Sequence, residues 1–275
     1  MTKLKYNFKN DMLFKMFFVK YPHLLKRLIA KILGIPLESI EEFIITNPEM
    51  PPEVIGDKFC RLDINMIVNG QRADLEIQIS NEGDYTERSL YYWARGYSTA
   101  LGEGEEYRNL PRTIIISIVA FKLFDCEDFH SEFQALEVTR HTQLNDKMSL
   151  HYFELPKLPP VDNTEDELKL WLALFDAETE EELKKIEDLG VSVMTQAIEA
   201  YRHVSATDEF KEIERLRSRA RHNEASALGH ARREGISIGE ETERGKWQGV
   251  VADKDVALAE QAALIAELRS RLGEN

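Results

Sequence analysis

Apolar residues recur at helical spacing near the start of the chain. Leu13, Phe14, Phe17, Phe18, Leu24, Leu25, Leu28 and Ile32 form one stripe over residues 10–33. Asn10 or Asp11 can cap this helix, and Gly34 with Pro36 ends it. Pro22 divides it, because proline lacks the backbone donor. A short strand is expected at 42–46, then a proline-rich loop over 47–56. Two strands follow, 58–68 and 72–80, joined by Asn69-Gly70, the dipeptide suited to a two-residue type I′ hairpin turn. A helix over 85–101 closes at Gly102 and Gly104. The β-branched run 113–121 reads as a buried central strand, and another strand is expected at 149–155.

Pro156, Pro159 and Pro160 mark a boundary. Beyond it, helices are expected at 165–175, 180–189, 191–203 and 208–221. Gly229, Gly235, Gly239, Gly245 and Gly249 then punctuate a charged stretch, read as a flexible connection to a terminal helix at 253–272. In that helix Leu258, Ile265 and Leu272 stand seven apart, as in a short coiled coil. The expected organisation is a domain over 1–155, a helical region over 161–221 and a tail over 222–275 that serves in oligomerisation or regulation.

Composition narrows the class. The chain has 275 residues, 43% of them hydrophobic and 31% charged, which suits a globular protein with its own core. No apolar run approaches the roughly 20 residues of a membrane span. Lys15 interrupts the apolar stretch after the first lysines, so no signal peptide is read there. Two cysteines, Cys60 and Cys126, exclude a disulfide framework, and a reducing cytoplasm is expected. Thirty-five basic against 49 acidic residues leave a net charge of −14, which by itself disfavours a polyanionic partner. The distribution changes that reading. The first 31 residues hold eight basic side chains against a single acid, Asp11, and this stretch is a candidate contact for a DNA backbone.

The hairpin carries the chemistry. A two-residue turn sets Val68 opposite Gln71, Asn65 opposite Asp74, Asp63 opposite Glu76 and Arg61 opposite Gln78. Period-two alternation then places these six polar side chains, from Arg61 to Gln78, on one face. Leu62, Ile64, Met66, Ala73, Leu75 and Ile77 occupy the other. Two acids directly opposed repel each other. A divalent cation relieves the repulsion, since Mg²⁺ takes one or two carboxylates with water and phosphate oxygens. Such an ion activates water and stabilises charge on a phosphodiester. The plainer alternative is a solvated sheet face whose acids neighbour Arg61 and Arg72. Asp11 has a plain role as well, at the helix start, and Cys126 with His130 lacks the second pair that zinc would need.

Several motifs in order resemble a known family. Asn10-Asp11-x-x-Phe14-Lys15 opens the chain, Leu62-Asp63-Ile64 precedes Leu75-Glu76-Ile77-Gln78, and Arg88 and Tyr92-Trp93 lie on the next helix. Gly104-x-x-Tyr107-x-x-Leu110 then precedes the apolar strand. This resembles the Rpn family of recombination-promoting nucleases and transposases of bacteria, within the PD-(D/E)XK superfamily, over nearly the whole chain.

The resemblance implies an α/β fold with a mixed central sheet flanked by helices, followed here by an all-helical C-terminal region. It implies a Mg²⁺- or Ca²⁺-dependent DNA endonuclease tied to recombination, with Mn²⁺ a further candidate ion. Asp63 and Glu76 match the metal-binding acids. Gln78 stands where the superfamily usually has lysine, so it can hydrogen-bond but cannot supply positive charge. Asp11 and Arg88 are additional site candidates, and Lys9, Lys15, Lys20 and Arg61 are candidate DNA contacts. The partners expected are DNA and further copies of the chain through the C-terminal helix, with no membrane. Two alternatives stand beside this: a non-catalytic DNA-associated or oligomeric protein keeping the nuclease fold, and a strand-transfer enzyme.

Overall fold

The computed structural model describes residues 2–47, 64–162 and 166–273. The helical start divides as the sequence predicts, into α1 (Asp11–Lys20) and α2 (Pro22–Leu33), with Pro22 at the first turn of the second helix. Asn10 caps α1 by accepting from the Leu13 amide, and Gly34 ends α2 in the left-handed region at φ 64°.

A six-stranded sheet follows, formed by β1 (Phe43–Ile45), β2 (Ile64–Val68), β3 (Gln71–Gln78), β4 (Thr113–Val119), β5 (His130–Phe133) and β6 (Met148–Glu154). Its order is β1-β2-β3-β4-β6-β5. The β3, β4 and β6 pairings are parallel and the outer ones antiparallel. The Asn69-Gly70 turn has positive φ at both residues, 49° and 73°. It sets Val68 opposite Gln71, Asn65 opposite Asp74 and Ile64 opposite Leu75, the register expected for a two-residue loop. The turn is also tied down. Asn69 Oδ1 accepts from the Glu41 and Glu42 amides at 2.9 and 3.0 Å, and the Gly70 amide donates to Glu42 at 2.8 Å.

The parallel step from β3 to β4 needs a crossover, and α3 (Tyr85–Ser98) provides it. Helix α3 packs over Ile115, Val119, Leu150 and Tyr152. The opposite sheet face carries Leu75, Ile77, Ile114, Ile116, Ile118 and Phe153. It packs against a larger core shared with Phe14, Phe17 and Phe18 of α1.

That core also takes in α4 (Glu167–Asp176), α5 (Glu180–Asp188) and α6 (Ser192–Ala206), through Trp171 and Phe175, Leu183, and Ile198 respectively. Residues after Pro160 therefore do not stand apart as the composition shift suggested. Lys9 pairs with Asp176 and Glu178, Arg27 pairs with Glu167, and the Tyr201 hydroxyl donates to the Tyr6 carbonyl. The compact unit runs Met1–Glu214, and a second unit spans Arg215–Asn275.

Two elements differ from the sequence reading. Strand β5 has a short, polar sequence, His130-Ser-Glu-Phe133, without the alternation that marks a strand. Helix α7 (Asp208–Leu272) is continuous for 65 residues and passes through all five glycines expected to form a connection. Each glycine costs about 1 kcal/mol against alanine in a helix. The surrounding Ala, Glu, Arg and Leu are strong helix formers.

Candidate active site

The polar face of β3 is Arg72, Asp74, Glu76 and Gln78, because the strand buries Ala73, Leu75 and Ile77 in the larger core. Glu76 lies deep, at 5% exposure. Its strand neighbour on β4 is Ser117, fully buried. Tyr85, the first residue of α3, donates its hydroxyl to Glu76 Oε1. Arg88, one turn later, lies over the Tyr85 ring at 4.9 Å from its centroid and reaches Glu82 at 3.7 Å. Arg88 thus holds the residue that holds Glu76. Nearby, Ser89 and Tyr152 share a 2.5 Å hydrogen bond, and burial raises the Tyr152 hydroxyl above its ordinary value, with the Glu76 charge contributing.

Asp74 is the residue the sequence reading left unused. It keeps a partial opening to solvent, yet burial pushes its carboxyl up to about 8. The Glu76 charge pushes the same way, and the Lys15 ammonium opposes both. Its opposite number, Asn65, turns its amide nitrogen toward Asp74, at 3.0 Å from Oδ1 and 3.3 Å from Oδ2. The Asn65 oxygen accepts from Asn47 Nδ2 at 2.9 Å. The signal was present in the alternation, since Asp74 occupies the same face as Glu76. Only the structure shows how strongly that face withholds water from it.

Of the other expected residues, Gln78 belongs to this face, and its amide nitrogen donates to the Ser80 carbonyl at 3.0 Å. Asp63 and Arg61 lie outside the described residues. Asp11 sits in the first turn of α1, where its Oδ1 accepts from the Met12 amide at 2.9 Å. The three lysines expected to touch DNA have other surroundings. Lys15 is 1% exposed and its charge acts inside the fold, on Asp74. Lys9 is paired as described, and Lys20 meets Glu209 at 2.5 Å.

A second polar cluster lies at the far edge of the sheet. His130 Nε2 and His151 Nδ1 are 3.1 Å apart, His151 Nε2 is 2.9 Å from Ser149 Oγ, and that hydroxyl donates to Glu132 at 2.9 Å. A consistent proton arrangement has His130 donating to His151, His151 to Ser149 and Ser149 to Glu132. Burial lowers both histidines, His151 to about 4, so the pair is neutral near pH 7. Cys126 is directed to the Asp128 carbonyl and to Lys157, not to His130.

Glu76 and Asp74 offer oxygen donors only, the hard class that Mg²⁺ accepts. Mg²⁺ needs one or two carboxylates, with water completing its shell. Among the described residues no group of three His, Cys, Asp or Glu side chains forms a ready metal cage. No helix among them is long and apolar enough to cross a membrane. A family model described as PD-(D/E)XK nuclease family transposase matches residues 8–231. Neither the curated proteins nor the solved structures contain a match.

Proposed function

The chain belongs to the PD-(D/E)XK nuclease family transposases, and from that premise we propose that it is a divalent-metal-dependent DNA endonuclease acting in recombination. The observation that carries this reading is Glu76, a carboxylate kept inside the fold on the polar face of β3 and held there by Tyr85. Burying a carboxylate is costly, and nothing in the strand pattern demands it.

Glu76 and Asp63, the residue before Ile64, are the acids we assign to the metal, with Mg²⁺ the ion their oxygens suit. When bound, the cation supplies Lewis-acid stabilisation of the charge gathering on the phosphate and a more acidic water. The protein does the rest. Tyr85 fixes the Glu76 carboxylate, Arg88 fixes Tyr85, and Gln78, its amide nitrogen held by Ser80, presents its oxygen to the attacking water. Hydrolysis adds that water's oxygen to phosphorus, breaks one phosphorus–oxygen bond and leaves a sugar hydroxyl that takes a proton. Self-association through α7 accompanies this reading, supported by the exposed Trp247, Val251, Leu258 and Ile265 along its length.

The test is nicking of circular DNA by the full chain, with Mg²⁺ and with chelator, beside Glu76→Gln and Asp63→Asn. Each substitution is expected to cut the rate by about 100-fold or more, the scale of losing one group that stabilises transition-state charge. Full activity in chelator, or in both variants, refutes the assignment. Joined donor and target ends among the products would identify strand transfer instead of simple hydrolysis.

A further inference from the structure

Between α3 and the strands β2, β3 and β4 lies a cavity of about 380 Å³, on the same sheet face as Glu76. That is the size of a small-molecule site, roughly 300–1,000 Å³. Asp74 at its wall is two residues from Glu76, a strand distance of about 7 Å. We propose that this cavity receives a single nucleobase turned out of the DNA stack beside the bond that is cut. The proposal rests on the nuclease reading for the identity of the polymer. Its own content is that the chain reads a base there.

Three features select a base. Ile67 and Ile115 from the sheet and Tyr92 from α3 give the cavity apolar and aromatic walls, which suit a flat ring. The polar groups converge on one side, where Asn65 and Asp74 offer an amide and a carboxyl as neighbours. Thr113 adds a hydroxyl at 3% exposure that has no hydrogen-bond partner among the described residues. Buried hydroxyls are almost always bonded, so this one marks a place where a ligand atom completes the set. Base edges carry the donors and acceptors that such a set recognises.

The charge of the site excludes the other part of a nucleotide. Glu76, buried two residues along β3, disfavours a bare phosphate inside the cavity. The Arg72 guanidinium on this face already donates to the Gly96 carbonyl at 3.1 Å and lies 3.5 Å from the Thr99 hydroxyl and carbonyl. A neutral, flat, hydrogen-bonding occupant fits where an anion does not. Gly96 forms part of the wall, and a Cβ there would touch Thr113 Cγ2 at 3.5 Å. A larger side chain at that position therefore takes up the space meant for the ring.

The experiment reads binding, not cleavage. Duplex DNA with 2-aminopurine at one position at a time is mixed with the full-length Glu76→Gln protein and Mg²⁺. The fluorescence of that base rises when it leaves the stack. A rise at one position is expected. It should be lost when Gly96→Leu is added, and need about tenfold more protein when Thr113→Val is added, as for one lost hydrogen bond to a base edge. Thr113→Val removes only the unpartnered hydroxyl, so it tests the cavity even where the leucine variant fails to fold. No rise at any position, or a rise unchanged in both variants, overturns the base pocket while nicking by the unaltered protein leaves the nuclease reading standing. A rise that both variants weaken, with no nicking by the unaltered protein, keeps the pocket and removes the nuclease reading.

Discussion

Replacing Asp74 by asparagine should stabilise the metal-free protein, and increasingly so as pH rises. Asparagine resembles the protonated carboxyl and still accepts from Asn65. An ordinary aspartate ionises near 3.8, whereas Asp74 is held up to about 8 by burial, then by Glu76, against the pull of Lys15. The unfolded chain therefore gives up this proton at lower pH than the folded chain does. Between about 4 and 8 the folded state binds the extra proton, so the wild type loses stability as pH rises through that window. At about 1.4 kcal/mol for each tenfold difference in acidity, the ceiling is about 6 kcal/mol. Sharing of the charge with Glu76 and the side chain's partial contact with water reduce this to about 2–4 kcal/mol. For a folded unit of this size that is a rise in melting temperature of about 4–16 °C at pH 8. The assay is thermal unfolding of wild type and Asp74→Asn in chelator at several pH values. Taking the difference at each pH cancels other titrating groups, including the histidine pair. The two proteins should melt together near pH 4 and separate toward pH 8. A gap that stays constant across the range, or an asparagine variant less stable at pH 8, refutes the electrostatic account of this face.

Tyr85→Phe removes the hydroxyl that Glu76 accepts and should lower stability by about 1.5–3 kcal/mol, the worth of a hydrogen bond to a charged group, read by urea unfolding. The same variant should slow nicking, while an unchanged rate would show that Glu76 needs no such support. The His130–His151 pair predicts a separate acid effect. His151 is depressed by burial to about 4, so its contribution is complete above pH 6.5 and is lost as pH falls toward 4. Protection factors of the β5 and β6 amides, which correct exchange for its intrinsic slowing in acid, should fall over that interval in wild type. Uniform protection from pH 7 to 4 would contradict it.

Much of the frame was legible because local rules decide it. Asn69-Gly70 fixed the hairpin register, Pro22 separated the first two helices, and the β-branched run 113–119 could only be a covered strand. The face bearing Glu76 followed from alternation alone. What was hidden depends on contacts between distant segments. Lys15 looks like one more surface lysine of a basic stretch until α1 is seated on the sheet, where it becomes an internal countercharge. Tyr85 lies beyond a loop from β3, and no spacing rule announces that its hydroxyl returns to Glu76. The helices after Pro160 differ from the first domain in composition but complete its core. Strand β5 escapes because its pairing with β6, and not its own pattern, makes it a strand. The continuity of α7 escapes because glycine propensity was weighed residue by residue against a much longer helical context.

Helix α3 grips β3 at two places. Its first residue, Tyr85, bonds Glu76, and near its other end the Gly96 carbonyl and Thr99 receive Arg72. The helix is a splint laid along the strand and lashed at both ends. Tilting it by even a small angle would drag the acid at one lashing and reshape the cavity at the other. The hollow beside Asp74 and the carboxylate of Glu76 therefore share one support, the same helix bracing both.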